Sequence, residues 1–194
     1  MKRIFLFSGV LLLVSLAWAP LGRSQGQKID TTHSTLTVYV YKTGVLSTFG
    51  HNHEIEAPIE LGEVRSSGDS GVELRVSASK LRVMDAGVSD STRATIQETM
   101  QSAQVLDVNR FPEIGFHSTA VEASGAGHWI VRGNLELHGQ TRPISVDVSL
   151  KDGVYRGTAM LKQTQFGIAP VSAAGGTVKV KDEIKVEFSI ALER

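Results

Sequence analysis

The stretch His128–Leu150, HWIVRGNLELHGQTRPISVDVSL, constrains the fold more than any other part of the chain. Trp129, Val131, Leu135 and Leu137 fall on one parity, and Arg132, Asn134, Glu136 and His138 on the other. Further on, Ile144, Val146, Val148 and Leu150 alternate with Ser145, Asp147 and Ser149. A period of two sends successive side chains to opposite faces of a sheet. The stretch therefore predicts two antiparallel strands, dry on one face and wet on the other. Gly139-Gln140-Thr141-Arg142 has turn chemistry and is expected to link them. Pro143, which lacks a ladder donor, is expected to open the second strand.

The same alternation recurs along the chain. Leu36, Val38 and Val40 against Thr35, Thr37, Tyr39 and Tyr41 predict a strand over His33–Lys42. A small, turn-like segment over 43–50 leads into His51–Pro58, which begins another strand with Pro58 marking an edge or a bulge. Ser66–Gly71 reads as a surface turn. Val72, Leu74 and Val76 set the apolar face of one strand over Gly71–Val83. Ile114 and Phe116 share a register in Glu113–Val121, and Asp152-Gly153 turns into Val154–Gln163. Phe166–Pro170 is irregular. Val178 and Val180 are expected to begin a last hairpin, turned by Lys181-Asp182-Glu183, with Ile184, Val186, Phe188, Ile190 and Leu192 on one face. Helical spacing occurs in Asp90–Leu106, where Ile96, Met100 and Ala103 recur at i, i+4, i+7. Thr95 with Glu98 could form its capping box, or Asp90 its cap. Pro112 stops any continuation.

No linker, charge run or internal repeat divides these segments. They predict one domain of about eight or more antiparallel strands and one short helix, arranged as a closed barrel or a two-sheet sandwich. A barrel of about eight strands is just wide enough to be filled by side chains or to hold one small ligand.

The chain has no Cys, which removes disulfides, thiol catalysis and zinc–thiolate sites. Basic and acidic residues balance at 20 each. Such a balance gives no electrostatic footprint for nucleic acid. Lys2 and Arg3, the apolar run Ile4–Trp18 and the small-x-small pattern Ala17-Trp18-Ala19 have the order of an export signal. Removal is expected after residue 19, or as late as residue 26. The run is shorter than the ~20 residues that span a bilayer, so no membrane span is expected in the mature chain. The mature protein is expected to be periplasmic or secreted.

Three stretches resemble a known family. Gln101-Ser102-Ala103-Gln104-Val105-Leu106-Asp107-Val108-Asn109-Arg110-Phe111-Pro112-Glu113-Ile114-Gly115-Phe116-His117-Ser118-Thr119 resembles the helix, aromatic-Pro and F-x-S-T signature of the YceI-like, polyisoprenoid-binding family. Gly133–Pro143 resembles that family's G-x-L-x-L-x-G-x-T-(K/R)-P hairpin, and Phe166-Gly167-Ile168 with the last strand resembles its C-terminal end. The resemblance spans roughly Ile29–Arg194. It implies an all-β, lipocalin-like antiparallel barrel over residues 28–194 that holds a polyisoprenoid or similar long amphiphilic lipid inside. The inward parities would then line the ligand: Leu36, Val38, Leu74, Val76, Ile114, Phe116, Leu135, Leu137, Ile144, Val146, Val148, Val186, Phe188 and Ile190. An apolar guest needs no polar motif, because each buried methylene contributes about 0.8 kcal/mol. A homodimer is compatible with the sequence.

His51 and His53 are the weak metal-site candidates, since i, i+2 histidines on an extended segment share a face. Glu54, His33, His117 or His138 would have to complete such a site. Gly68-Asp69-Ser70-Gly71 matches the letters of a serine-protease loop, but no histidine context accompanies it. There is no G-x-S-x-G and no phosphate-binding glycine loop. No catalytic residue and no cofactor is therefore expected, and the reading is of a binding protein rather than an enzyme. The other readings are a metal-binding envelope protein and a stress-response domain with a filled, ligand-free barrel.

Overall fold

The computed structural model of the chain describes residues 26–43, 52–66, 70–173 and 178–194. The expected export signal (save Gly26), the segment 44–50, His51 and Ser67–Asp69 of the expected surface turn lie outside the described residues.

The described chain forms twelve strands and one α-helix. The strands are β1 (Gln27–Lys28), β2 (Thr35–Thr43), β3 (His53–Glu56), β4 (Ile59–Arg65), β5 (Gly71–Ser77), β6 (Arg82–Val83), β7 (Glu113–Gly125), β8 (His128–Leu137), β9 (Gln140–Lys151), β10 (Val154–Lys162), β11 (Ser172–Ala173) and β12 (Val178–Ala191). The helix α1 covers Asp90–Gln101. All strands belong to one antiparallel sheet in the order β1-β4-β5-β7-β8-β9-β10-β12-β2-β3-β6, with β11 paired to β12. The sheet curls until its first strand meets β12, the eighth strand in that order. Ile29, just past β1, bridges Leu192, and the amides of Asp30 and Glu193 donate to the carbonyls of Ala191 and Lys28 at 2.9 Å each. On its other side β1 pairs with β4.

The all-β class with one helix follows the alternation in the sequence, but the strand number of about eight is corrected to twelve. The difference arises where a continuous pattern is broken locally. Pro58 separates β3 from β4, and β1 is an additional strand ahead of the first one expected, set off from β2 by a turn over 30–34. In that turn the Asp30 carboxylate accepts from the backbone amides of Thr32 and His33, at 3.0 and 3.1 Å. The expected single strand Gly71–Val83 is split by a 3-10 turn at Ala78–Lys80.

Two expected turns move. The β8–β9 connection is His138-Gly139, both at positive φ (52° and 68°), the backbone of a two-residue type I′ turn. Gln140, Thr141 and Arg142 are already in β9, so Pro143 lies inside the strand rather than at its start. Bonded and non-bonded pairs alternate away from such a turn, which puts Pro143, opposite Asn134, at a non-bonded position. Its nitrogen faces away from β8, where the ladder to β10 has not yet begun. The missing N–H therefore costs no sheet hydrogen bond. Lys181-Asp182-Glu183 does not turn a hairpin either. It is a bulge inside β12, where the register to β2 shifts between Val180 and Ile184.

The helix begins at a residue that neither capping expectation named. Ser89 Oγ accepts from the Thr92 amide at 3.2 Å, which makes Ser89 the N-cap and Asp90 the first helical residue. Thr95 lies within the helix, its hydroxyl bonded back to the Ser91 carbonyl. Met100 is buried and Ile96 packs beside it, but the helix ends at Gln101 and Ala103 is exposed. Gln97 ties the helix to the sheet edge. Its Oε1 accepts from the Val83 amide and its Nε2 donates to the Leu81 carbonyl, both at 2.8 Å. The helix segment thus covers one end of the curled sheet, where Leu81, Val83, Met100, Leu106, Phe166 and Ile168 form the main core. A smaller cluster of Ile29, Ile59 and Ile190 lies elsewhere in the sheet.

Candidate functional site: an apolar cavity inside the curled sheet

Inside the sheet is a cavity of about 250 Å³. A single water needs about 10–15 Å³ on such a measure, so the space suits roughly twenty water-sized groups. All fourteen positions chosen on parity line it: Leu36 and Val38 on β2, Leu74 and Val76 on β5, Ile114 and Phe116 on β7, Leu135 and Leu137 on β8, Ile144, Val146 and Val148 on β9, and Val186, Phe188 and Ile190 on β12. Leu150 continues the β9 parity but is exposed at the strand end.

Two glycines shape the wall. Gly157 faces inward between Phe188 and Val148 on the neighbouring strands. A Cβ there would meet the Phe188 ring at 2.4 Å and the Asp147 carbonyl at 2.6 Å. Gly133 stands to Phe116 in the same way, with a Cβ meeting the ring at 2.5 Å. Each glycine lets an aromatic ring lie across its backbone instead of standing into the cavity. A third close approach joins two of the stretches of the family resemblance. Phe111 packs on Gly139 and meets the His138 ring edge-on, with centroids 4.6 Å apart.

Parity alone missed several wall residues. Val105 and Leu106 follow the helix and Ile168 lies in the irregular stretch, whereas Met100 sits on the face that the helical spacing marked. No periodic signal places Val105, Leu106 and Ile168, because only the tertiary fold swings them over the cavity end. Ala159, Leu161 and Gln163 did carry a signal, since they continue the Tyr155, Gly157 parity of β10. Among the described residues Gln163 is the one polar side chain of the lining. It is buried, and its Nε2 donates to the Lys181 carbonyl at 2.8 Å. The turn carrying it is anchored by Asp182, whose carboxylate accepts from the Thr164 amide (2.9 Å) and hydroxyl (2.7 Å). The amide bond, ahead of the hydroxyl bond, holds the Asp182 carboxyl below its usual range.

Of the metal-site candidates, His51 lies outside the described residues. His53 is engaged: its Nδ1 is 2.7 Å from Oδ2 of the buried Asp85. Asp85 Oδ1 accepts from the Glu54 amide at 2.8 Å. His33 is bonded to Asp30, and His138 to the Phe166 carbonyl. His117 is exposed on β7, and Glu54 is exposed on β3. Among the described residues no three groups of metal-ligating type come together.

A curled antiparallel sheet with one helix and an apolar cavity inside defines a class of all-β, barrel-like proteins. Within that class the chain belongs to the YceI-like domain family, which it matches over residues 27–192. A UPF0312 protein of Vibrio cholerae is 24% identical over 186 residues, 90% of this chain and 93% of that one. Among solved structures the fold is similar to that of Burkholderia cenocepacia BcnA, with TM-score 0.64 and 14% identity over 84% of this chain and 98% of that one. It is also similar to a polyisoprenoid binding domain from Saccharophagus degradans implicated in plant cell wall breakdown, with TM-score 0.57 and 13% identity over 87% and 98% of the two chains. No helix among the described residues is long and apolar enough to cross a membrane.

Proposed function

We propose that this protein binds a polyisoprenoid or similar long amphiphilic lipid inside the curled sheet and carries it outside the cytoplasm. The observation that carries this reading is the cavity: about 250 Å³ bounded almost wholly by aliphatic side chains. A void of that kind leaves its walls without contact partners, whereas a hydrocarbon guest would supply them. The similarity to a polyisoprenoid binding domain supports the same ligand class. The role is binding without covalent chemistry. Export rests on the basic, apolar and small-x-small order of the first 19 residues.

Organic extraction of the protein purified from its native envelope, followed by mass spectrometry, tests the reading. A long isoprenoid released in near-stoichiometric amount is expected. A lipid-free protein that also takes up no added isoprenoid would sink it. N-terminal sequencing of the same sample tests export, with a mature terminus at residue 20–27 expected; intact Met1 in a cytosolic fraction would rule it out.

A further inference from the structure

The wall of the cavity has a break. Strands β9 and β10 pair from Lys151 and Val154 only as far as Asp147 and Thr158. Beyond that point residues 140–146 pair with β8 alone, and residues 159–162 with β12 alone. The two stretches bound a slot. Their inward side chains Ile144, Val146, Ala159 and Leu161 belong to the cavity wall. On the outer rim Met160 is 60% exposed, more than any other large hydrophobic residue among the described ones. Pro143 turns a nitrogen without a hydrogen toward the slot. A proline on a free edge hinders a foreign strand from adding there.

The 3-10 turn Gln163–Phe166, which follows β10 directly, packs against β9 and fills this slot. Phe166 is buried in the main core with Leu137 and Leu161. On the β12 side two successive residues of the bulge hold the turn. The Lys181 carbonyl accepts from Gln163 Nε2, and the Asp182 carboxylate accepts from the amide and hydroxyl of Thr164. On the β9 side Arg142 Nε donates to the Gln165 carbonyl at 2.9 Å, and His138 Nδ1 is bonded to the Phe166 carbonyl at 3.1 Å. Each of these bonds has a side chain at one end. The backbone bonds of the turn are local: Gly167 and Ile168 donate to the carbonyls of Thr164 and Gln163. The turn can therefore leave the slot without parting a strand ladder. Opening the sheet at a ladder would instead strand a row of backbone N–H and C=O groups. Gly167, at φ 73°, supplies a left-handed joint just behind the turn.

We propose that this turn is a lateral gate. It lifts out of the slot, drawing Phe166 from its seat, passes the hydrocarbon chain of a guest between β9 and β10, and closes behind it. The inference rests on the lipid-binding reading and adds the route of entry and the part that moves. A gate that closes over the empty and the filled cavity alike sets the rates of uptake and release and leaves their ratio unchanged.

Stopped-flow uptake of cis-parinaric acid, a fluorescent fatty acid, and its release to phosphatidylcholine vesicles measure the two rates. Thr164→Cys with Asp182→Cys places two thiols where side chains already touch, in a chain that has no other cysteine. The oxidised variant, its turn tied to the bulge, should take up and release the probe about tenfold more slowly than the wild type at an unchanged Kd. Dithiothreitol removes that tie, and the Asp182 bonds are already gone. The reduced form should therefore exchange about tenfold faster than the wild type, the rate equivalent of two lost hydrogen bonds. Asp182→Ala should match the reduced form. Gln97→Ala, which frees the helix from the sheet edge, should exchange at the wild-type rate. Wild-type rates in both the oxidised pair and Asp182→Ala would overturn the gate while leaving lipid binding intact. So would an acceleration by Gln97→Ala as large as that by Asp182→Ala, which would put the route at the helix end. Failure of every form to bind the probe would bring down the lipid-binding reading itself.

Discussion

Val146 and Ser145 are adjacent on β9 but face opposite ways: Val146 is buried on the cavity wall and Ser145 is exposed. Val146→Asp should cost about 3 kcal/mol, because its carboxylate would meet no polar partner in the apolar wall. Ser145→Asp should cost less than about 0.5 kcal/mol. Equal melting temperatures would place the β9 register wrongly. Glycines give a second contrast. Gly157→Ala drives a methyl into the Phe188 ring and the Asp147 carbonyl, and should cost about 1–3 kcal/mol. Gly115→Ala meets nothing within 4 Å and should be neutral or slightly stabilising by urea unfolding. Asp30 gives a pH signature. Bonds from the Thr32 hydroxyl first, then from the His33 ring, lower its carboxyl from 3.8 to about 2. A carboxyl whose folded pKa is depressed contributes stability that is complete above its unfolded value and lost as pH falls through the folded one. The melting temperature should therefore drop more steeply between pH 4 and pH 2 in the wild type than in Asp30→Asn. At this scale the wall was legible in the sequence, because parity alone separates Val146 from Ser145. The partners of Asp85 and Gln163 were not, since each is made across more than fifteen residues of chain.

At the scale of elements, α1 was legible as a helix but not in its limits. Ile96 and Met100 fixed its face, while the competition among Ser89, Asp90 and Thr95 for the cap is decided by backbone geometry that residue types leave open. Ser89→Ala should lower stability by about 1 kcal/mol, the usual loss when a capping hydroxyl is removed. Thr95→Ala should be neutral or mildly stabilising, because alanine is the better helix former at an interior exposed position. A larger loss from Thr95→Ala would move the helix start by two turns. The β8–β9 turn teaches a related point. His138 adopts positive φ, a conformation in which residues other than glycine are uncommon. The Phe111 ring against it and the Phe166 carbonyl on its Nδ1 support that turn from outside. Residue types alone favour a turn over Gly139-Gln140-Thr141-Arg142, one residue later than the His138-Gly139 turn that these contacts support.

At the scale of the whole molecule, the curled sheet sets the size of its interior through small residues as much as large ones. Gly157 and Ala159 on β10 fill little of the space that Leu or Phe would take. Val146→Trp converts that relation into a test. The indole would project into the cavity, where an existing void relieves the strain that overpacking normally brings. The variant should therefore fold with a loss smaller than that of Val146→Asp, yet retain much less lipid on extraction. Thermal stability adds an independent readout, because a ligand that binds only the folded state raises stability by about 2.7 kcal/mol at a hundred times its Kd. Delipidated wild-type protein should gain several degrees on addition of an isoprenoid, and Val146→Trp should gain almost none. A wild type with no such gain, combined with a Val146→Trp protein as unstable as Val146→Asp, would mean that the wall closes on itself in solution and that the interior is a packed core.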